Sequence, residues 1–146
     1  MAKDKAKIAL HVQQWKHNRA LIGQIPASHP DWIVTIVFYT AVHAIDAALA
    51  HEGVTVWNHD TRFAAIGGIP RMQRIGHLYH PLYDLSRKVR YTADPGQWIP
   101  SDRIEKQIIG AHLLPLEKSV LKLIGEKVEL PAIDLKHLTA PAKSAS

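Results

Sequence analysis

Helical periodicity dominates this chain, interrupted by short polar or proline-rich breaks. The most apolar stretch, Asp31 to His51, is hydrophobic on nearly every side, which predicts a helix buried over most of its surface. Within it Thr35, Tyr39, His43 and Asp46 recur at spacings of four, four and three. On a helix such spacings align in a single stripe. Each member needs a partner, because a buried polar group left unpaired costs about 1–3 kcal/mol. The stripe therefore organises what the other segments must supply.

Lys5 to Ile22 predicts the first helix, with Ile8, Val12, Trp15 and Ile22 on one face, ended by Gly23 and Pro26. Ser28-His29-Pro30-Asp31 is a helix start, with a capping side chain followed by a proline where its missing amide proton does no harm. The second helix then runs to Gly53. Val54 to Trp57 reads as an extended connector, and Asn58 as the cap of a short third helix terminated by Gly67-Gly68-Ile69-Pro70. A fourth helix lies within Arg71 to Tyr91, its apolar stripe being Leu78, Leu82, Leu85 and Val89, with Pro81 starting its main part or kinking it. Asp94-Pro95-Gly96 is a turn. Ser101 or Asp102 caps a fifth helix to about Glu126, with Glu105 placed to complete a capping box with Asp102 and with a bend expected at Gly110 and Pro115. Residues 1–127 thus form a single all-α domain, and residues 128–146, rich in Pro, Ala, Ser and Lys, a flexible C-terminal tail.

Composition narrows the chemistry. The absence of cysteine among 146 residues excludes disulfides, thiolate metal sites and cysteine nucleophiles. The net charge of +5 leans toward anionic partners, and the 10 histidines add positive charge as pH falls through about 6.5. The charged N-terminus is not followed by an uninterrupted apolar core, so no secretory signal is expected. His43 and Asp46 inside the apolar stretch argue against a membrane span, so a cytoplasmic location is expected. No phosphate-cradling glycine loop, nucleophile elbow or cofactor motif is present.

Three constellations remain. The stripe Tyr39, His43 and Asp46 is either part of a site or an internal network, in which Asp46 pairs with Arg62 or Arg90. His59 and Arg62 share the first turn of a predicted helix, where unpaired amide protons favour anions. Arg87, Arg90 and Tyr91 share one side of the fourth helix, an arrangement suited to phosphate and base contacts or equally to carboxylates of the same chain. Together Arg62, Arg87 and Arg90 form a candidate anion-binding surface, with His59 at its rim and Tyr91 available for stacking. Histidine spacing also permits a metal-binding bundle built on His43, His77 and His80.

The ordered set Asp31-Trp32, Phe38-Tyr39, His43, Asp46-Ala47, Gly53, His59-x-x-Arg62, Tyr79, Leu82-Tyr83 and Ser86-Arg87-x-x-Arg90-Tyr91 resembles bacterial members of the HEPN superfamily (higher eukaryotes and prokaryotes nucleotide-binding). The resemblance implies an antiparallel bundle of four or five helices that forms a homodimer. Many such proteins are metal-independent endoribonucleases of toxin–antitoxin, phage-defence or CRISPR systems. Others are inactive and bind RNA, nucleotides or protein. Implied partners are therefore RNA or a nucleotide and a cognate antitoxin or nucleotidyltransferase. The family signature is an arginine followed, after four to six residues, by a histidine, the arginine holding the scissile phosphate while the histidine moves a proton. Arg71 with His77 and Arg74 with His80 fit that spacing, but Met72 and Ile75 stand where the family has a polar residue. His59, His77 and His80 are the candidate catalytic histidines. The rival reading is a non-catalytic homodimeric interaction module whose polar network is structural.

Overall fold

The computed structural model describes residues 3–91 and 99–136. It is an all-helical bundle, without a strand among the described residues: α1 (Lys5–Ile22), α2 (Pro30–His51), α3 (His59–Gly67), a single 3-10 turn (Pro70–Met72), α4 (Gln73–Tyr91), α5 (Ser101–Arg103), a π-helical stretch (Ile104–Leu113) and α6 (Leu114–Ile124). The Asp94-Pro95-Gly96 turn lies outside the described residues.

α2 is the central element. Sixteen of its residues are buried, and α1, α4, α6 and the π-helical stretch all pack against it. It is long and apolar enough to cross a membrane, yet here most of that apolar surface faces other helices of the same chain. α1 runs antiparallel to it: the Asp4 amide donates to the Ala50 carbonyl, and His11 meets His43. Asp4 also caps α1 by accepting from the Lys7 amide at 3.1 Å.

Local chemistry sets the remaining boundaries. Asn58 and Thr61 form a reciprocal capping box at the start of α3, in which the Thr61 amide donates to Asn58 Oδ1 and the Asn58 amide to Thr61 Oγ1. The expected box between Asp102 and Glu105 does not form. Pro100 is the N-cap instead, its carbonyl accepting from the Arg103 and Ile104 amides, so Ser101 and Asp102 already lie within the first turn. Pro81 sits inside an unbroken α4, on an exposed stretch where the lost hydrogen bond costs least. The inward line of α4 is Ile75, Tyr79, Leu82 and Ser86; Leu78, Leu85 and Val89 flank it, so the core face is rotated from the expected stripe.

The bend expected at Gly110 and Pro115 takes a different form. The helix widens into π turns over Ile104–Leu113 and regains α geometry at Leu114. Pro115 has no amide proton to donate, and its ring crowds the carbonyl four residues back, so a wider ladder relieves that position. Gly110 permits the close approach, since a Cβ there would sit 3.1 Å from the Glu105 carbonyl oxygen. Gly125, at φ 73°, closes α6 in the left-handed conformation that favours glycine.

A second buried charge ties the bundle's far side together. Glu117, 2% exposed on α6, accepts from Trp15 Nε1 at 2.6 Å and Arg19 Nε at 2.9 Å, both on α1. Its Oε1 has no partner, and burial raises the carboxyl pKa despite Arg19 and Trp15. Arg19 also donates to the Pro131 carbonyl. Leu130, Ile133 and Leu135 rest on the core, so residues 128–136 of the expected flexible tail lie against the bundle; residues 137–146 are outside the description.

Glu117→Gln keeps an acceptor for Trp15, whereas Glu117→Leu strands both the indole N–H and the Arg19 charge. In urea denaturation Glu117→Leu is expected to cost about 3–5 kcal/mol, and Glu117→Gln clearly less. Equal losses would show that the hydrogen bonds contribute nothing specific.

Candidate anion-binding cleft

The cleft is built from the polar stripe of α2 outward. Thr35 takes no part, because its hydroxyl donates back to the Asp31 carbonyl one turn earlier. Asp46, 8% exposed, holds Arg62, 7% exposed, through two parallel bonds: Nε to Oδ1 at 2.8 Å and Nη2 to Oδ2 at 3.0 Å. This fork leaves neither charge isolated, and it places α3 against α2. Arg62 is therefore an internal strut rather than part of the anion-binding surface expected from the sequence.

The strut reaches one residue further. Arg62 Nη1 lies 3.2 Å from His59 Nδ1, and the Tyr79 hydroxyl lies 3.3 Å from the same nitrogen. A guanidinium only donates, so Nδ1 is the acceptor and the ring proton resides on Nε2. Burial lowers the His59 pKa, and the charges of Arg62 and Arg90 lower it further, holding the ring neutral. Phe38 and Tyr83 pack against the ring at centroid distances of 5.5 and 5.0 Å. His59 thus presents a fixed donor tautomer, and its acceptor nitrogen is already engaged.

Beside it, Arg90 donates to the Tyr39 hydroxyl at 2.9 Å and to the Ser86 hydroxyl and carbonyl. All three acceptors are neutral, so they orient the guanidinium without cancelling its charge. The same group lies over the rings of Phe38, Tyr39 and Tyr91 at 5.3–5.6 Å. Arg87 is exposed and lies 5.7 Å from the Tyr83 ring centre. Among the described residues no carboxylate pairs with either arginine. His59, Tyr83, Arg87, Arg90 and Tyr91 line an open cleft of about 380 Å³, and Tyr91 is 76% exposed at its edge.

Of the sequence candidates, His59, Arg87, Arg90 and Tyr91 converge here, and Tyr39 supports them from behind. His77 and His80 line no part of this cleft; both are exposed on α4, and His80 pairs with Asp84 at 3.2 Å. Arg71 and Arg74 line a separate basic groove of about 830 Å³ with Lys118 and Lys122, again without either histidine. Neither the cleft nor the groove brings an arginine of this spacing together with its histidine. The proposed metal set of His43, His77 and His80 does not form either: the cluster of ligand-type groups among the described residues is His11, His43 and Asp46. Tyr83 was missed as a cleft residue, although its spacings of four to Arg87 and eight to Tyr91 place all three near one helix face.

Two outcomes follow. Asp46→Ala leaves Arg62 buried and unpaired and is expected to lower stability by about 3–5 kcal/mol, read as a lower urea midpoint. The His59 pKa is depressed on folding, so the unfolded chain takes up its proton first as pH falls. This residue's contribution is intact above about 6.5 and is lost as pH falls through the lower folded value. Wild type should therefore lose more stability than His59→Gln between about pH 7.5 and 5.5, measured by thermal or urea midpoints. Parallel profiles would remove the depressed pKa from the account.

Compared with protein-family models, curated proteins and solved structures, the chain matches none.

Proposed function

We propose that this chain is a HEPN-like RNA- or nucleotide-binding protein of a defence or toxin type, whose cleft recognises a phosphate and an adjoining base. The observation that carries the reading is the convergence of Arg87 and Arg90, neither paired with a carboxylate among the described residues, with the rings of Tyr83 and Tyr91 on one cleft. Arginine offers planar donors that match phosphate oxygens, and an exposed tyrosine offers a face on which any base can stack. His59 adds a neutral N–H donor beside them. The volume of about 380 Å³ falls at the small end of ligand clefts, which span about 300–1,000 Å³, and suits one nucleotide unit rather than a duplex.

Binding is the function proposed. A histidine whose acceptor nitrogen already receives Arg62 is poorly disposed to abstract a 2′-hydroxyl proton, and His77 and His80 do not reach the cleft lining.

The test is equilibrium binding of a short single-stranded RNA across a salt series. Affinity should fall as salt rises, with a slope set by the number of phosphates engaged. Arg87→Ala touches no ion pair among the described residues and should weaken binding while reducing that slope by about one. Tyr91→Ala should weaken binding with the slope kept. If wild type shows no salt-sensitive binding of RNA or mononucleotides below about 1 mM, equivalent to about −4.1 kcal/mol, the cleft is not a nucleotide site.

A further inference from the structure

Beside Asp46, α1 brings a histidine to the polar stripe of α2. His11 Nδ1 lies 3.1 Å from His43 Nδ1, with ring centres 5.4 Å apart and planes inclined by 30°. An oxygen of Asp46 completes the cluster, all three ligand atoms lying within 4.8 Å of one another. Both rings are half-buried, so solvent reaches the site although it sits between two helices.

Two imidazole nitrogens at this separation need something between them. Either one ring donates a proton to the other, or both direct lone pairs at a shared cation. Two nitrogens bound to one tetrahedral ion at about 2.0–2.1 Å are separated by about 3.3 Å, close to the spacing found. Asp46 suits the third position. Each carboxylate oxygen accepts one bond from Arg62 and keeps a further lone pair. Arg62 then becomes the hydrogen-bonded outer support that metal-ligating carboxylates commonly have. His43 and Asp46 are three apart on α2 and His11 faces them from α1, so the fold holds all three ligands on rigid helices.

We propose that His11, His43 and Asp46 form a binding site for a divalent transition-metal ion of the zinc class, with water in the remaining position. Two imidazoles and one carboxylate match that class, and no thiolate is required. The site joins α1 to α2 and shares Asp46 with the strut behind His59, so an ion there bridges the bundle's central helix to its neighbour. It stands independently of the nucleotide reading, because none of the three ligands lines the cleft.

The experiment is Co²⁺ titration of the full, untagged chain, followed by visible absorption, with Zn²⁺ competition. Wild type should show saturable tetrahedral-type absorption at one ion per chain, displaced by Zn²⁺. His11→Ala and His43→Ala should each lower affinity at least tenfold while the far-ultraviolet helical signal is kept. His11→Gln provides a milder second variant at the same half-buried position and should show the same loss. The double variant His77→Ala/His80→Ala removes the exposed pair on α4 and should bind as wild type does. No saturable absorption, an unchanged affinity in the His11 variants, or an affinity that follows His77 and His80 would each overturn the proposal.

Discussion

One carboxylate inside an apolar helix sets the terms for the face of the bundle that carries the cleft. α2 buries most of its side chains, and an isolated Asp46 there would ionise only at great cost. The Arg62 fork meets that cost with two short parallel bonds. The solution imposes a position on α3, because Arg62 must arrive in its first turn. That explains why the start of α3 is so firmly specified: Asn58 and Thr61 satisfy each other's amides and fix where the turn begins. Phe38, Phe63, Tyr79 and Tyr83 then close over the junction, with ring centres 4.9–5.7 Å apart along the Phe38–Tyr79–Phe63–Tyr83 chain. Polar pairing and aromatic packing point to the same placement, as a well-specified fold requires.

The arginines of this face have opposite fates, and the contrast separates support from surface. Arg62 meets a carboxylate and is neutralised in place. Arg90 meets hydroxyls, a carbonyl and ring faces, which fix its direction but leave its charge. Arg87 meets only the Tyr83 ring among its described contacts and stays open to solvent. A charge held in position by neutral groups, on rigid helices, keeps its field uncancelled by any carboxylate among the described residues. Arg71 differs again, sharing Glu52 at 3.5 Å and reaching toward the Leu123 carbonyl.

The helices and the polar stripe were legible in the sequence because each rests on local signals: proline and asparagine at helix starts, glycine at their ends, and a three-to-four spacing of polar residues in apolar surroundings. The pairing of Asp46 was narrowed to two arginines, since spacing along a helix says which residues share a face but not which neighbouring helix meets it. The same limit explains the errors. Arg62 belongs by sequence to the first-turn group with His59, yet its partner lies 16 residues earlier on another helix. His11 was passed over although it sits between Ile8 and Trp15 on the inward face of α1, where a polar residue is itself a signal. Glu117, set among Leu113, Leu116, Val120, Leu123 and Ile124, carried the same unread sign. The π turns were anticipated only as a bend, because glycine and proline mark where a helix is disturbed but do not choose how it relaxes.

The chemistry open to the cleft follows from the direction of one proton. Arg62 cannot accept, so His59 receives at Nδ1 and carries its hydrogen at Nε2. Protonating the ring would convert that acceptor into a donor facing a guanidinium, and the nearby charges of Arg62 and Arg90 already oppose it. The buried Asp46–Arg62 pair therefore does more than hold two helices together: it selects the neutral, donating form of the histidine at the surface. A neutral donor beside two guanidinium groups that meet no carboxylate among the described residues is complementary to oxygen-rich anions in their ground state. Proton abstraction would instead call for a free acceptor nitrogen turned toward the substrate, with its charge stabilised as it forms. The arrangement here opposes that developing charge, and the same buried pair that fixes the His59 tautomer disfavours His59 as a base.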